Sequence, residues 1–184
     1  IENILEGTGI LTLDGSMAPL HWKAIRRYSH KQIALASELR PLIIKANALG
    51  DGLPRRDMRV SQLHMLYIDD LLIPAAALIN DRTIFIDQKG SATEYYHLDI
   101  GYQKIIFAEG VATESLTDDD TSRRGFDNYK PTVADLPSSP DVVMAAPLIR
   151  EGEIIASLQA RYARRAANLK TPFQTETNNM EFFL

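Results

Sequence analysis

Turn signals recur along residues 9–115 at intervals of roughly ten residues, and the apolar stretches between them are too short for anything but strands. Gly9-Ile10-Leu11-Thr12-Leu13 runs into Asp14-Gly15, a pair suited to a hairpin turn. A strand-like stretch from Pro19 to Tyr28 carries His21, Trp22 and Ile25. Leu42-Ile43-Ile44 follows Pro41 and is apolar and largely β-branched, as a buried strand requires. Gly50-Asp51-Gly52-Leu53-Pro54 is a loop. Ser61-Gln62-Leu63-His64 reads as strand between Met58-Arg59-Val60 and Met65-Leu66-Tyr67-Ile68, and Asp69-Asp70 turns the chain into Leu71-Leu72-Ile73. Pro74 suits the first turn of a short helix over residues 75–78, because its missing N–H would be unbonded there in any case. Asn80-Asp81 then turns into Thr83-Ile84-Phe85-Ile86. Residues 94–100, 104–107 and 111–116 are again strand-like, with Ala108-Glu109-Gly110 as a corner. The expected class is mainly β, with many short strands.

The pattern changes after residue 117. Asp118-Asp119-Asp120-Thr121-Ser122-Arg123-Arg124-Gly125 is a polar loop, and residues 130–141 carry Pro131, Pro137 and Pro140. Residues 151–169 switch to a helical period, with Ile154, Leu158, Tyr162, Ala166 and Leu169 in one stripe. Glu151 and Glu153 at its start and Arg161, Arg164 and Arg165 towards its end follow the order that the helix dipole favours. Thr171-Pro172 stops it, and residues 171–184 read as a tail in which Phe182 and Phe183 could dock. The organisation expected is a β domain over residues 1–128, then a linker, helix and tail over 129–184. The start at Ile1, without Met or a signal peptide, suggests a piece of a longer polypeptide.

Hydrophobic residues make up 45% of the chain, enough for a true core. A net charge of -4 disfavours a nucleic-acid groove. The longest apolar run, around Leu71-Leu72-Ile73-Pro74-Ala75-Ala76-Ala77-Leu78-Ile79, is too short to span a membrane. The absence of cysteine excludes disulfides, thiolate metal sites and thiol nucleophiles from these residues. Asp118-Asp119-Asp120 lacks the alternation and the bidentate glutamate of a calcium loop and reads as solvated. Glu109 and Glu114 could be paired for glycoside chemistry, but nothing else suggests a sugar cleft. The arginine face of the helix reads as solvated. His21 and His30 are most simply aromatic packing and a surface residue. No cofactor or metal is implied.

Five ordered blocks carry a resemblance. Residues 1–12, Ile1-Glu2-Asn3-Ile4-Leu5-Glu6-Gly7-Thr8-Gly9-Ile10-Leu11-Thr12, are similar to an "I/V-E-x-L-x-x-G-D-x-V-x-T" segment. Arg40-Pro41-Leu42-Ile43-Ile44-Lys45-Ala46-Asn47-Ala48-Leu49-Gly50 is followed by Leu53-Pro54-Arg55-Arg56-Asp57. Val60-Ser61-Gln62-Leu63-His64 resembles a "T/S-x-x-H" block. Tyr95-Tyr96-His97 and Phe107-Ala108-Glu109-Gly110-Val111-Ala112-Thr113-Glu114-Ser115 complete the series. Together they resemble a Hint domain, the fold shared by hedgehog autoprocessing domains and inteins. They are most similar to the bacterial branch attached to secreted and cell-surface proteins.

That resemblance implies a self-cleaving domain whose substrate is its own upstream polypeptide. The side chain of a first-position cysteine attacks the preceding peptide bond, and an N-to-S shift gives a thioester that water or another nucleophile resolves. By resemblance His64 protonates the leaving nitrogen, Ser61 orients the scissile peptide, and His97 and Gln103 occupy assisting positions. The sequence departs from the pattern in three ways. The block with the nucleophile is expected upstream of residue 1. Gln103 stands in place of the second histidine of an "L-x-x-H-x-V" pattern, and glutamine cannot shuttle a proton near neutral pH. Gly7-Thr8 replaces Gly-Asp. Asn178-Asn179-Met180 has neither a preceding histidine nor a following nucleophile, which argues against ligation of two flanks. The expectation is therefore a Hint-type autoprocessing domain, inactive as this cysteine-free stretch. The alternative is a β-rich spacer or binding module that has lost its chemistry. A Ser-His-Asp hydrolase built on Ser61 and His64 is disfavoured, because residues three apart on one strand face opposite sides.

Overall fold

Asp14 and Gly15 reverse the chain as their residue types demand. Gly15 takes a left-handed φ of 81°, and the Asp14 carboxylate accepts from the Ser16 N–H at 2.9 Å, closing the turn. This turn joins β1 (Gly9–Leu11) to β2 (Met17–Pro19) in an antiparallel pair. The computed structural model describes residues 1–116, 123–130 and 144–169; the expected Asp118-Asp119-Asp120 loop, most of the proline-rich segment and the tail lie outside them.

Eleven strands in four antiparallel sheets account for most of the described elements. β3 (Trp22–Tyr28) pairs along seven residues with β9 (Thr93–Asp99), with Ala24 opposite His97. β4 (Leu42–Ile44) lies between β5 (Met58–Val60) and β8 (Ile84–Ile86). The largest sheet has the order β10 (Ile105–Ala108), β11 (Val111–Glu114), β6 (Met65–Ile68), β7 (Leu71–Pro74). Its β11–β6 register places Thr113 opposite Leu66 and so brings Glu114 level with Met65.

Residues 61–64 are not strand. They form a turn between β5 and β6, with the His64 N–H bonded to the Ser61 carbonyl at 3.1 Å. Strand residues flank this stretch on both sides, but contacts remote in sequence bend it into a turn. Ala75 and Ala76, at the start of the short 3₁₀ helix Ala75–Leu78, donate to the His64 and Gln62 carbonyls at 2.9 and 3.0 Å. The Gln62 amide donates to the carbonyls of Ser37 and Arg40 at 2.8 and 3.1 Å.

Between β3 and β4 the chain forms α1 (His30–Leu35), where the sequence reading placed no element. Ser29 caps its start, and Ser29 and Gln32 exchange side-chain and backbone bonds in a capping box. Ile33 is its buried contact, and His30 is exposed.

The C-terminal helix, α2 (Glu153–Asn168), packs into the largest apolar cluster, where Ile155, Leu158 and Tyr162 meet Leu42, Leu66 and Leu78. Its buried stripe is Ile155, Leu158, Tyr162 and Ala166. Ile154, the expected first member, is 46% exposed, so the stripe starts one residue later. Two of its arginines are not free in solvent. Arg165 donates to the Asn47 carbonyl at 2.9 Å, and Arg161 pairs with Asp69 at 2.9 Å. A second cluster joins Ala18, Leu20, Leu98, Ile100 and Ile106, and Ile1 and Ile4 pack against it. Among the described residues, no helix is long and apolar enough to cross a membrane.

Candidate functional site

His64, at the end of the turn, and His97, on β9, come from sheets with no shared strand, yet their rings meet edge to face with centroids 5.2 Å apart. His64 Nδ1 lies 3.2 Å from His97 Nε2, and His64 Nε2 lies 2.5 Å from Thr113 Oγ1 on β11. The Thr113 hydroxyl donates its one proton to the Met65 carbonyl at 2.7 Å. Its oxygen is thereby left to accept, so His64 carries its proton on Nε2 and accepts at Nδ1 from the His97 Nε2–H. The remaining His97 nitrogen, Nδ1, is buried and finds no hydrogen-bond partner among the described residues. This is a basic atom with an unused lone pair. The His97 ring stacks on Phe126 at an interplanar angle of 17°, and Phe126 meets Trp22 edge-on with centroids 5.7 Å apart.

Phe126 is held by a short segment lying along β3. Asn128 accepts from the Ile25 N–H and donates to the Lys23 carbonyl, both at 2.8 Å, and Asp127 accepts from the Arg27 N–H at 2.7 Å. That segment covers the outer edge of β3 and completes one wall of the site.

Glu114 approaches from β11. One oxygen accepts from the Met65 N–H at 3.1 Å and the other from the Gln103 amide at 2.9 Å. Gln103 is 7% exposed, and its carbonyl oxygen accepts from the Ala145 N–H at 2.8 Å. The ligating atoms of His64, His97 and Glu114 all lie within 4.8 Å of one another.

Burial sets the protonation states. It holds the His64 imidazole well below the ordinary histidine value, and the neighbouring His97 pushes the same way. Burial also lowers His97 to about 4. Glu114 is pushed up to about 7, because burial outweighs the hydrogen bonds from Met65 and Gln103. At neutral pH the histidines are neutral, and the carboxyl beside them is poised between its two forms.

These groups border an open cavity of about 560 Å³, whose lining includes Ser61, Tyr28, Tyr95, Tyr96 and Phe126. Ser61 is half-buried at its edge, and no hydrogen bond to its hydroxyl is found among the described residues. Tyr95 donates to the Leu39 carbonyl at 2.9 Å, fixing the opposite rim. The cavity therefore offers a proton-handling cluster, a hydroxyl without a partner among the described residues, and room for a peptide.

Of the residues singled out from sequence, His64 and His97 are in contact, Ser61 shares their cavity, and Gln103 joins them through Glu114. Thr113 escaped the sequence reading. Its signal was the inward parity of Val111, Thr113 and Ser115, which puts two hydroxyls on the buried face of one strand. The sequence offers Glu114 only as a partner of Glu109. In the structure Glu109 is instead held by Arg56 through two bonds of 2.9 and 2.6 Å.

A family model described as the Hint domain matches residues 1–120. The chain belongs to the Hint domain family. Its mainly β, Hint-like architecture carries the turn with Ser61 and His64, β9 with His97 and the corner before β11 within the matched region. Neither curated proteins nor solved structures yielded a match.

Proposed function

We propose that the cavity is the acid-base half of a self-cleaving centre, in which a cysteine from outside these 184 residues attacks the peptide bond before it. The observation that carries this reading is the His64–His97 contact on an open cavity, in a chain of the Hint family. In an N-to-S shift the thiol sulfur bonds to the carbonyl carbon, the C–N bond breaks, and the leaving nitrogen must gain a proton. Thr113 holds His64 at Nε2, so in this reading the scissile nitrogen takes the place of His97 at Nδ1. There a protonated His64 is a strong donor, because burial disfavours its cation. Before the substrate enters, His97 can hand its Nε2 proton to His64 Nδ1 across the 3.2 Å contact. Glu114, within 4.8 Å of both rings and with a value of about 7, is the nearby acid that can restore it. Ser61, on the edge of the same cavity, bonds the scissile peptide in this reading. Thr113 orients His64 and touches no substrate.

The experiment joins a reporter and a cysteine-bearing segment to the start of this chain and measures release with hydroxylamine, which intercepts a thioester. Release that depends on the cysteine, and falls at least about 100-fold in a His64→Gln variant, is the expected outcome. A folded, cysteine-bearing chain that never releases its reporter refutes the reading. One observation favours a second reading, a spacer or binding module without chemistry. Gln103, in the place of an assisting histidine, spends its amide on Glu114 and Ala145. Intact fusion after hydroxylamine treatment is what that reading expects.

A further inference from the structure

We infer that His64, His97 and Glu114 form a binding site for a divalent transition-metal ion of the zinc class. Two nitrogens held at about 2.0–2.1 Å by a tetrahedral ion stand about 3.3–3.4 Å apart. His64 Nδ1 and His97 Nε2 are already 3.2 Å apart, so an ion can replace the proton between them with small ring rotations. Glu114 brings a carboxylate to the same point, with all three ligating atoms within 4.8 Å of one another and three side-chain torsions to close the gap.

The surroundings are those of a ligand set. Thr113 holds the His64 proton on Nε2, which fixes the ring and leaves Nδ1 free to bind. His97 has a second nitrogen without a partner among the described residues, so its proton can move there when Nε2 takes the ion. Gln103 and the Met65 N–H orient the two oxygens of Glu114, each of which keeps a lone pair. Two neutral imidazoles and one carboxylate are a common donor set for zinc. All three residues border the cavity, which gives an ion a route in and leaves a fourth position facing open space.

Binding uses the side chains of the proposed cleavage centre but does not rest on cleavage, so it is tested on the cysteine-free chain as it stands. The metal-stripped protein is titrated with Zn²⁺ by calorimetry and with Co²⁺ by visible absorption. One ion per chain is expected, with the cobalt bands of a four- or five-coordinate site. His97→Gln and Glu114→Gln, each checked for folding by circular dichroism, should weaken binding at least about tenfold. No uptake at micromolar Zn²⁺ overturns the inference, and so does uptake that both folded variants leave unchanged. Failed reporter cleavage with intact zinc binding would reject the self-cleavage reading alone.

Discussion

Residues with buried polar groups decide what this site can do. His97 has a folded value of about 4 against an ordinary value near 6.5. As pH falls below about 6.5 the unfolded chain binds a proton that the folded chain refuses, so stability present above that pH is lost towards pH 4. Glu114 has the opposite sign. Its value of about 7 lies above the ordinary 4.5, so its stabilising contribution is full below about pH 4.5 and disappears as pH rises through 7. Urea midpoints measured with chelator between pH 4 and 8 should therefore show Glu114→Gln gaining on the natural chain as pH rises. A difference that does not change with pH would refute the burial argument. His64 was legible from its block, because four adjacent residues carry the signal. Thr113 and Glu114 were not, since their contacts with His64 and Met65 come from the β11–β6 register, which pairs residues almost fifty apart in sequence.

Elements were legible where local chemistry governs them. Asp14-Gly15, Asp69-Asp70 and the Glu109-Gly110 corner all appear as turns, and Asp69, Asp70 and Glu109 take positive φ. The Ser61–His64 turn was misread because no glycine, proline or asparagine marks it and its stabilising bonds come from residues 37–40 and 75–76. α1 was missed although the spacing of Ser29 and Gln32 announced a capped start. On α2 the period was right and one member of the stripe was wrong. The distinction is measurable: Leu158→Ala should cost about 2–5 kcal/mol in chemical denaturation, because a buried leucine leaves a cavity. Ile154→Ala should stay within about 0.5 kcal/mol. Equal losses at both positions would contradict the packing of this helix.

At the scale of the molecule, the residues after the matched region contribute to the same interior. Leu72 receives Leu148 in a parallel bridge, and the Leu72 N–H and carbonyl bond the backbone of Pro147 and Ile149 at 2.9 and 3.0 Å. Ile155, Leu158 and Tyr162 fill the cluster beneath β6 and β7. A chain cut after residue 128 should therefore expose this apolar surface, bind a hydrophobic dye and unfold without a sharp transition. A sharp, dye-free unfolding transition from that shorter chain would show that the β portion stands alone. The sequence suggested a helix but not what it covers, because its partners are scattered from residue 42 to residue 111.

The amide of Gln103 limits what else can stand in its place. It serves two masters, the Glu114 carboxylate and the Ala145 backbone, through two atoms at the far end of one side chain. An imidazole sets its nitrogens at different depths, with a carbon where one of those atoms stood. A histidine placed at this position keeps at most one of these two bonds, so a Gln103→His chain loosens either Glu114 or the backbone at Ala145.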